Sequence, residues 1–138
     1  MIAPVGTPAR SETDGFTYVR LYEDEEGISH VEDIPVPLKN RDIAPPAAPL
    51  SVSESWPTTL LSFLHHTSEW DGDWHPSPRR QFAIVLTGEL EATVGDGETR
   101  SFGPGYAVLL EDTTGRGHVS RILSPEGCIV MMVALPPE

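Results

Sequence analysis

Proline and glycine interrupt this chain so often that no long uniform element fits between them. There are 14 prolines and 12 glycines in 138 residues, and the apolar runs between them span only a few residues. Where those runs show a period, it is two. In Phe16–Tyr22, Phe16, Tyr18 and Arg20 share one parity and Thr17, Val19 and Leu21 the other, which is the pattern of a half-buried strand. No segment carries the 3.6-residue period of a helix. Short strands joined by Gly- and Pro-rich turns predict an all-β sandwich or barrel.

The segments divide as follows. Residues 1–15 carry Pro4, Gly6, Pro8 and Gly15 with little apolar content, and read as a flexible tail before a single domain over 16–138. Within it, 16–58 reads as an N-terminal hairpin and a Pro-rich arm, and 59–135 as the core. Ile28–Val36 follows Phe16–Tyr22 across a Glu25-Glu26-Gly27 turn. Residues 39–58, with Pro45, Pro46, Pro49 and Pro57, are expected to be irregular and extended. Strands are then expected at Thr59–His66, Trp74–Thr87, Gly88–Val94, Gly97–Phe102, Tyr106–Glu111, His118–Leu123 and Cys128–Leu135. The total is about ten, and Gly95-Asp96 marks a hairpin turn.

Charge and composition exclude several functions. The net charge is −12, and the eight arginines and Lys39 are scattered apart from Arg79-Arg80. Such a chain repels phosphate backbones, so no nucleic-acid partner is expected. No apolar run approaches the ~20 residues of a membrane span, and the first residues lack a basic and then apolar leader. One cysteine, Cys128, allows neither an internal disulfide nor a cysteine zinc cluster. A cytoplasmic location is the expectation. Cys128 lies in Gly127-Cys128-Ile129-Val130-Met131-Met132 and reads as a small core residue.

The chemistry concentrates in Trp74-His75-Pro76-Ser77-Pro78-Arg79-Arg80-Gln81. If this stretch is extended, His75, Ser77, Arg79 and Gln81 share a face. The result is a polar row beside an apolar strand, which needs partners or a ligand if buried. Downstream, Glu111-Asp112-Thr113-Thr114-Gly115-Arg116-Gly117 leads into His118. Its two glycines read as a turn that delivers the histidine, not as a phosphate loop. No Gly-x-Ser-x-Gly elbow and no His-Glu-x-x-His helix is present.

These residues, over roughly 55–135, resemble the cupin superfamily. His75 falls at the first histidine of the first cupin motif, Ser77 at the second, and Gln81 at the glutamate, six residues before Gly88. Gly105 can open the second motif and His118 close it, without its terminal Asn. More narrowly, the chain is similar to small bacterial cupin-domain proteins carrying Trp-His-x-x-Pro-Arg-Arg-Gln and Glu-Asp-Thr-Thr-Gly-x-Gly-His. The resemblance implies a single cupin-like double-stranded β-helix, or jelly-roll, barrel. It also implies a homodimer formed through sheet edges and N-terminal strands.

The site expectations follow. His75 and His118 are the candidate catalytic residues, since an imidazole exchanges protons near neutral pH. Ser77, Arg79, Gln81, Trp74 and Tyr106 are the candidate substrate-binding residues. His75, Gln81 and His118 are the candidate ligands of a weakly held divalent transition metal, with Glu89, Glu91 or Glu111 able to add charge. A third imidazole could come from His65 or His66, which have opposite parity, so that at most one faces inward. His30 reads as structural. The bland alternatives are satisfied core histidines at 75 and 118, Arg79 paired with an acid, and tryptophans used for packing. The favoured function is a small-molecule lyase or isomerase acting on a carbonyl or carboxylate compound. The alternatives are a non-catalytic ligand-binding barrel and a metal-dependent dioxygenase.

Overall fold

Alternation in the first strand sorts its side chains between two apolar clusters. A computed structural model of the protein describes residues 16–137; the tail expected over 1–15 lies outside them. In β1 (Phe16–Glu23), Val19 and Leu21 enter the main core and Tyr18 a smaller cluster. β2 (Ser29–Val36) returns antiparallel, pairing Phe16 with Val36 and Glu23 with Ser29. The turn between them is closed by the Asp24 carboxylate, which accepts from the Glu26 and Ile28 amides. This uses a short acidic side chain as a turn-former.

The expected irregular arm contains a small hairpin. β3 (Lys39–Arg41) and β4 (Leu50–Val52) pair antiparallel as a separate two-stranded sheet. Both are almost wholly exposed, so no buried face marks them in the sequence. Past them the arm packs back on the molecule. Trp56 meets Phe82 and Tyr18 edge-on, with ring centroids 4.9 and 6.0 Å apart.

The remaining strands are β5 (Leu60–His66), β6 (Gly72–His75), β7 (Gln81–Thr87), β8 (Leu90–Thr93), β9 (Thr99–Phe102), β10 (Ala107–Leu110), β11 (His118–Ile122) and β12 (Cys128–Ala134). They form, with β1 and β2, a six-stranded sheet in the order β2-β1-β10-β7-β12-β5 and a four-stranded sheet in the order β6-β11-β8-β9. The fold is all-β, with no helix among the described residues and no sheet closed into a barrel. The main core fills the space between the sheets. Leu21, Val85 and Val130 come from the larger sheet, and Ala92, Phe102 and Ile122 from the smaller. The larger of these side chains, Val, Leu, Ile and Phe, each contribute roughly 1.5–3 kcal/mol when fully buried. Cys128 is fully buried in the same cluster, and burial pushes its thiol pKa up.

One expected strand is two. Trp74–Thr87 is not continuous: β6 belongs to the small sheet and β7 to the large one. Pro76 and Pro78 lie in the crossing. Neither has an N–H to give to a ladder, and the residues before them are held extended. The crossing places one end of the motif on each wall of the core.

Candidate functional site

A cavity of about 340 Å³ opens between the two sheets, at the small end of the ~300–1,000 Å³ usual for ligand sites. Leu21, Val85, Val108 and Met132 form its wall on the large sheet, and Leu90 and Ile122 on the small one. Into this apolar space project His66, His75, Ser77, Gln81, His118 and Ser120.

His75 and His118 are cross-strand partners on β6 and β11, so they share a face. Their ring centroids are 4.9 Å apart. Each ring has one nitrogen committed. His75 Nδ1 lies 2.7 Å from the Asp73 carbonyl, which can only accept, so Nδ1 carries the proton. His118 Nδ1 lies 2.5 Å from Asp112 Oδ2 and donates to that carboxylate. In both rings Nε2 is then the free nitrogen, an acceptor in the neutral state. Asp112 is wholly buried, and its Oδ1 has no hydrogen-bond partner. A carboxylate held in this way fixes the tautomer and orientation of its imidazole. It also stabilises positive charge developing on the ring.

Local backbone makes the approach of these strands feasible. Gly117 has φ +76°, and a Cβ there would overlap the His75 carbonyl. Only glycine permits that conformation and that contact immediately before His118. Gly72 acts similarly: a Cβ would overlap the Trp70 ring. Trp70 thus folds over β6 and lines the cavity 6.3 Å from the His75 ring.

Of the row expected to share one face, His75, Ser77 and Gln81 line the cavity although the crossing at Pro76 and Pro78 puts His75 and Gln81 on different sheets, and Arg79 alone is left out. Ser77 and Gln81 are buried and line the cavity. The Ser77 hydroxyl donates to the Arg79 carbonyl at 2.6 Å and accepts from Gln81 Nε2 at 3.3 Å. The Arg79 side chain is exposed and does not line the cavity. Its neighbour Arg80 turns to Glu111, Nε to Oε2 at 2.6 Å, while Arg20 Nε reaches Oε1 of the same carboxylate at 2.5 Å. Burial alone would raise the Glu111 pKa, but the two guanidiniums outweigh it and hold the carboxyl below its ordinary value. Trp74 lies under the Arg116 guanidinium, 4.0 Å from its ring centroid. Tyr106 packs edge-on against Phe102 at 5.4 Å. Neither lines the cavity. Three of the expected substrate contacts therefore fall outside it.

Two further residues belong to the site. The sequence marks Asp112 only as part of a turn; its position six residues before His118 is the available signal. Of His65 and His66, His66 is the one that lines the cavity, stacked edge-on with Trp70 at 4.7 Å. Its pair on β12 is the buried Cys128. His30 sits elsewhere, between Asp24 and Asp96.

No family model matches the chain. No curated protein matches it either. Among solved structures, a candidate ethanolamine utilization protein Q from Salmonella typhimurium LT2 is similar over 88% of this chain and 97% of that one, with 16% identity and a TM-score of 0.34. A likeness that slight carries nothing about function. No helix of the described residues is long and apolar enough to cross a membrane.

The metal site that the cupin resemblance implies does not fit these side chains. Among the described residues no group of three or more His, Cys, Asp or Glu is placed to hold a metal ion. His66, His75 and His118 all bring imidazoles to the cavity, but His66 is not grouped with the other two for a shared ion, and Gln81 adds only a neutral amide, where divalent transition metals favour more imidazole or carboxylate donors. Asp112 is committed to His118. Glu89, Glu91 and Glu111 do not line the cavity, and Glu111 is held by two arginines. The expected set of His75, Gln81 and His118 is thus too weak a donor set for a resident cofactor.

Proposed function

We propose that the cavity is the active site of a small-molecule enzyme of lyase or isomerase type, working on a carbonyl compound by proton transfer through histidine. One observation carries this reading. A buried carboxylate orients His118, and a second imidazole faces it, in a cavity that is otherwise largely apolar. His118 Nε2 takes a proton from the carbon next to the carbonyl. The C–H pair moves into a C–C double bond and the carbonyl pair onto oxygen, giving an enolate. Asp112 steadies the imidazolium meanwhile. The free amide hydrogen of Gln81 is a neutral donor available to the enolate oxygen. In an isomerisation the proton returns to a different carbon, directly or by way of His75. In an elimination it leaves with a departing hydroxyl as water. Such general base catalysis contributes about 10²–10⁴-fold.

The test is solvent exchange. Small carbonyl compounds that raise the melting temperature are incubated with the protein in D₂O, and deuterium at the α-carbon is followed by NMR. Exchange that depends on His118 supports the reading. Saturable binding with no exchange for any bound compound overturns it in favour of a non-catalytic binding module, which the apolar wall would also suit.

The two facing sheets fit an open jelly roll of the cupin kind. The protein is further read as a homodimer. Among the described residues β5 is an edge strand, paired only with β12. It exposes Leu60, Leu61 and Phe63 by 60, 58 and 62%, and an edge of this kind invites pairing. Leu60–His66 contains no acid or base other than its two histidines, although the chain carries −12. It is therefore a stretch on which two copies meet without like-charge repulsion. Antiparallel pairing of β5 with its own copy about a two-fold axis would continue the sheet. Light scattering should give twice the chain mass for the wild type and the chain mass for Phe63→Glu. A monomeric wild type would rule this out.

A further inference from the structure

His66 has a nitrogen with no evident use in the fold. Its Nδ1 is buried without a hydrogen-bond partner. Burial, with a smaller contribution from His65, lowers its pKa, so the ring is neutral at neutral pH. A neutral imidazole carries one N–H and one lone pair. Nδ1 lacks a partner in either tautomer, but a buried N–H with no acceptor is rarer than a buried acceptor with no donor, which favours the tautomer with Nδ1 unprotonated. The proton therefore belongs on Nε2, the nitrogen left for the cavity that His66 lines. The Trp70 ring, edge-on at 4.7 Å, restrains the imidazole in this position.

Charge narrows the occupant. Among the described residues, no Lys, Arg, Asp or Glu lines the cavity. Its polar groups are imidazoles, hydroxyls and an amide. The arginines flanking the lining residues do not enter the cavity: Arg79 is exposed and outside the lining, Arg80 pairs with Glu111 and Arg116 lies over Trp74. An anion would enter without a fixed counter-charge, against the field of a chain of net charge −12. Desolvating it there would go uncompensated.

We propose that the cavity selects uncharged, mainly apolar carbonyl compounds with a second oxygen acceptor, to which the His66 Nε2–H donates while His75 and His118 face the reacting carbonyl. This rests on the cavity being the ligand site and deepens that reading by naming the ligand class. It withdraws carboxylates from the substrates first expected.

Binding of matched compounds tests it. A keto acid and its methyl ester are titrated calorimetrically into the wild type at neutral pH. The ester should bind at least about tenfold more tightly; tighter binding of the acid overturns the proposal. The ester is then compared with an isostere whose second oxygen is a methylene. His66→Phe keeps an aromatic ring against Trp70 and removes the N–H. It should weaken the ester about tenfold and leave the isostere unchanged, and His66→Gln should restore part of the difference. Equal losses for both compounds, or none for either, overturn the donor role. If His66→Phe does not fold, the wild-type comparison of ester with isostere decides the matter: equal affinities overturn the donor role. The outcomes separate from those of the exchange test. Ester preference without exchange defeats the catalytic reading alone. Exchange without ester preference defeats this one alone.

Discussion

His30 and His118 are both paired with carboxylates, yet their surroundings put them to different ends. His30 is bonded on both nitrogens, Nε2 to Asp24 at 2.7 Å and Nδ1 to Asp96 at 2.8 Å. It is partly exposed and ties the β1–β2 turn to the β8–β9 turn. His118 is buried and bonded on one nitrogen, Nδ1 to Asp112, and its ring lines an apolar cavity. A histidine with both nitrogens engaged has no capacity left for a ligand. One that is oriented on one side and open on the other can meet a ligand or exchange a proton, the role proposed for His118. The carboxylate alone therefore does not distinguish a clamp from a base; the second nitrogen does.

The largest expected effect contrasts these two residues directly. His118→Ala should reduce α-carbon exchange by at least about 10²-fold, while His30→Ala should leave it within about twofold of the wild type. Asp112→Asn keeps an acceptor for Nδ1–H but removes the charge. It should lose a comparable factor with little change in melting temperature. Equal losses for His30→Ala and His118→Ala would erase the comparison. Full activity in Asp112→Asn would reduce Asp112 to a packing role.

A second contrast lies in the backbone that supports the two histidines. Gly117, beside His118, has φ +76° and abuts the His75 carbonyl. Gly97, in the turn after Asp96, has φ +95° and nothing within 4 Å of a would-be Cβ. Gly97→Ala should cost only the conformational strain, about 1–2 kcal/mol. Gly117→Ala adds an overlap with backbone that cannot rotate away, and should cost more than about 3 kcal/mol in urea titration. Equal losses at the two positions would mean that β6 and β11 are free to separate there, and that the His75–His118 approach is not held by the fold.

The parts legible in the sequence are those governed by local period. The two faces of β1, the β1–β2 hairpin and the burial of Cys128 all follow from alternation and turn residues. The pairing of His75 with His118 is expected only from the resemblance to cupins, not from period. Parity fails at Trp74–Gln81, because it holds only along an unbroken strand. Pro76 and Pro78 signal the break, and reading through them puts Arg79 on the wrong side. His66 cannot be told from His65 without the β5–β12 register, a pairing across some sixty residues of chain. The partnership of Asp112 with His118 is hidden for a different reason. The chain between them turns on glycines with positive φ at 115 and 117, and such a path does not follow from spacing.

The smallest effect concerns the clamp and its response to pH. Hydrogen bonds to Asp24 and then Asp96 raise the His30 pKa above 6.5. Bonds from His30 and the Ile28 amide lower Asp24, and bonds from the Glu98 amide and His30 lower Asp96, each below 3.8. A raised histidine contributes stability that is complete below 6.5 and lost as pH rises through its higher folded value. A lowered carboxylate contributes stability that is complete above 3.8 and lost as pH falls through its lower folded value. The clamp is therefore complete between the two ordinary values and fades beyond each. The melting temperature of the wild type minus that of His30→Gln should be greatest in that window. It should shrink as pH rises above that window and as pH falls below it, and shrink at every pH with added salt, since these groups face solvent. A difference that is flat across the neutral range would mean that His30 holds the turns as a neutral ring, by shape and one hydrogen bond, and that its two carboxylates contribute no ionic clamp.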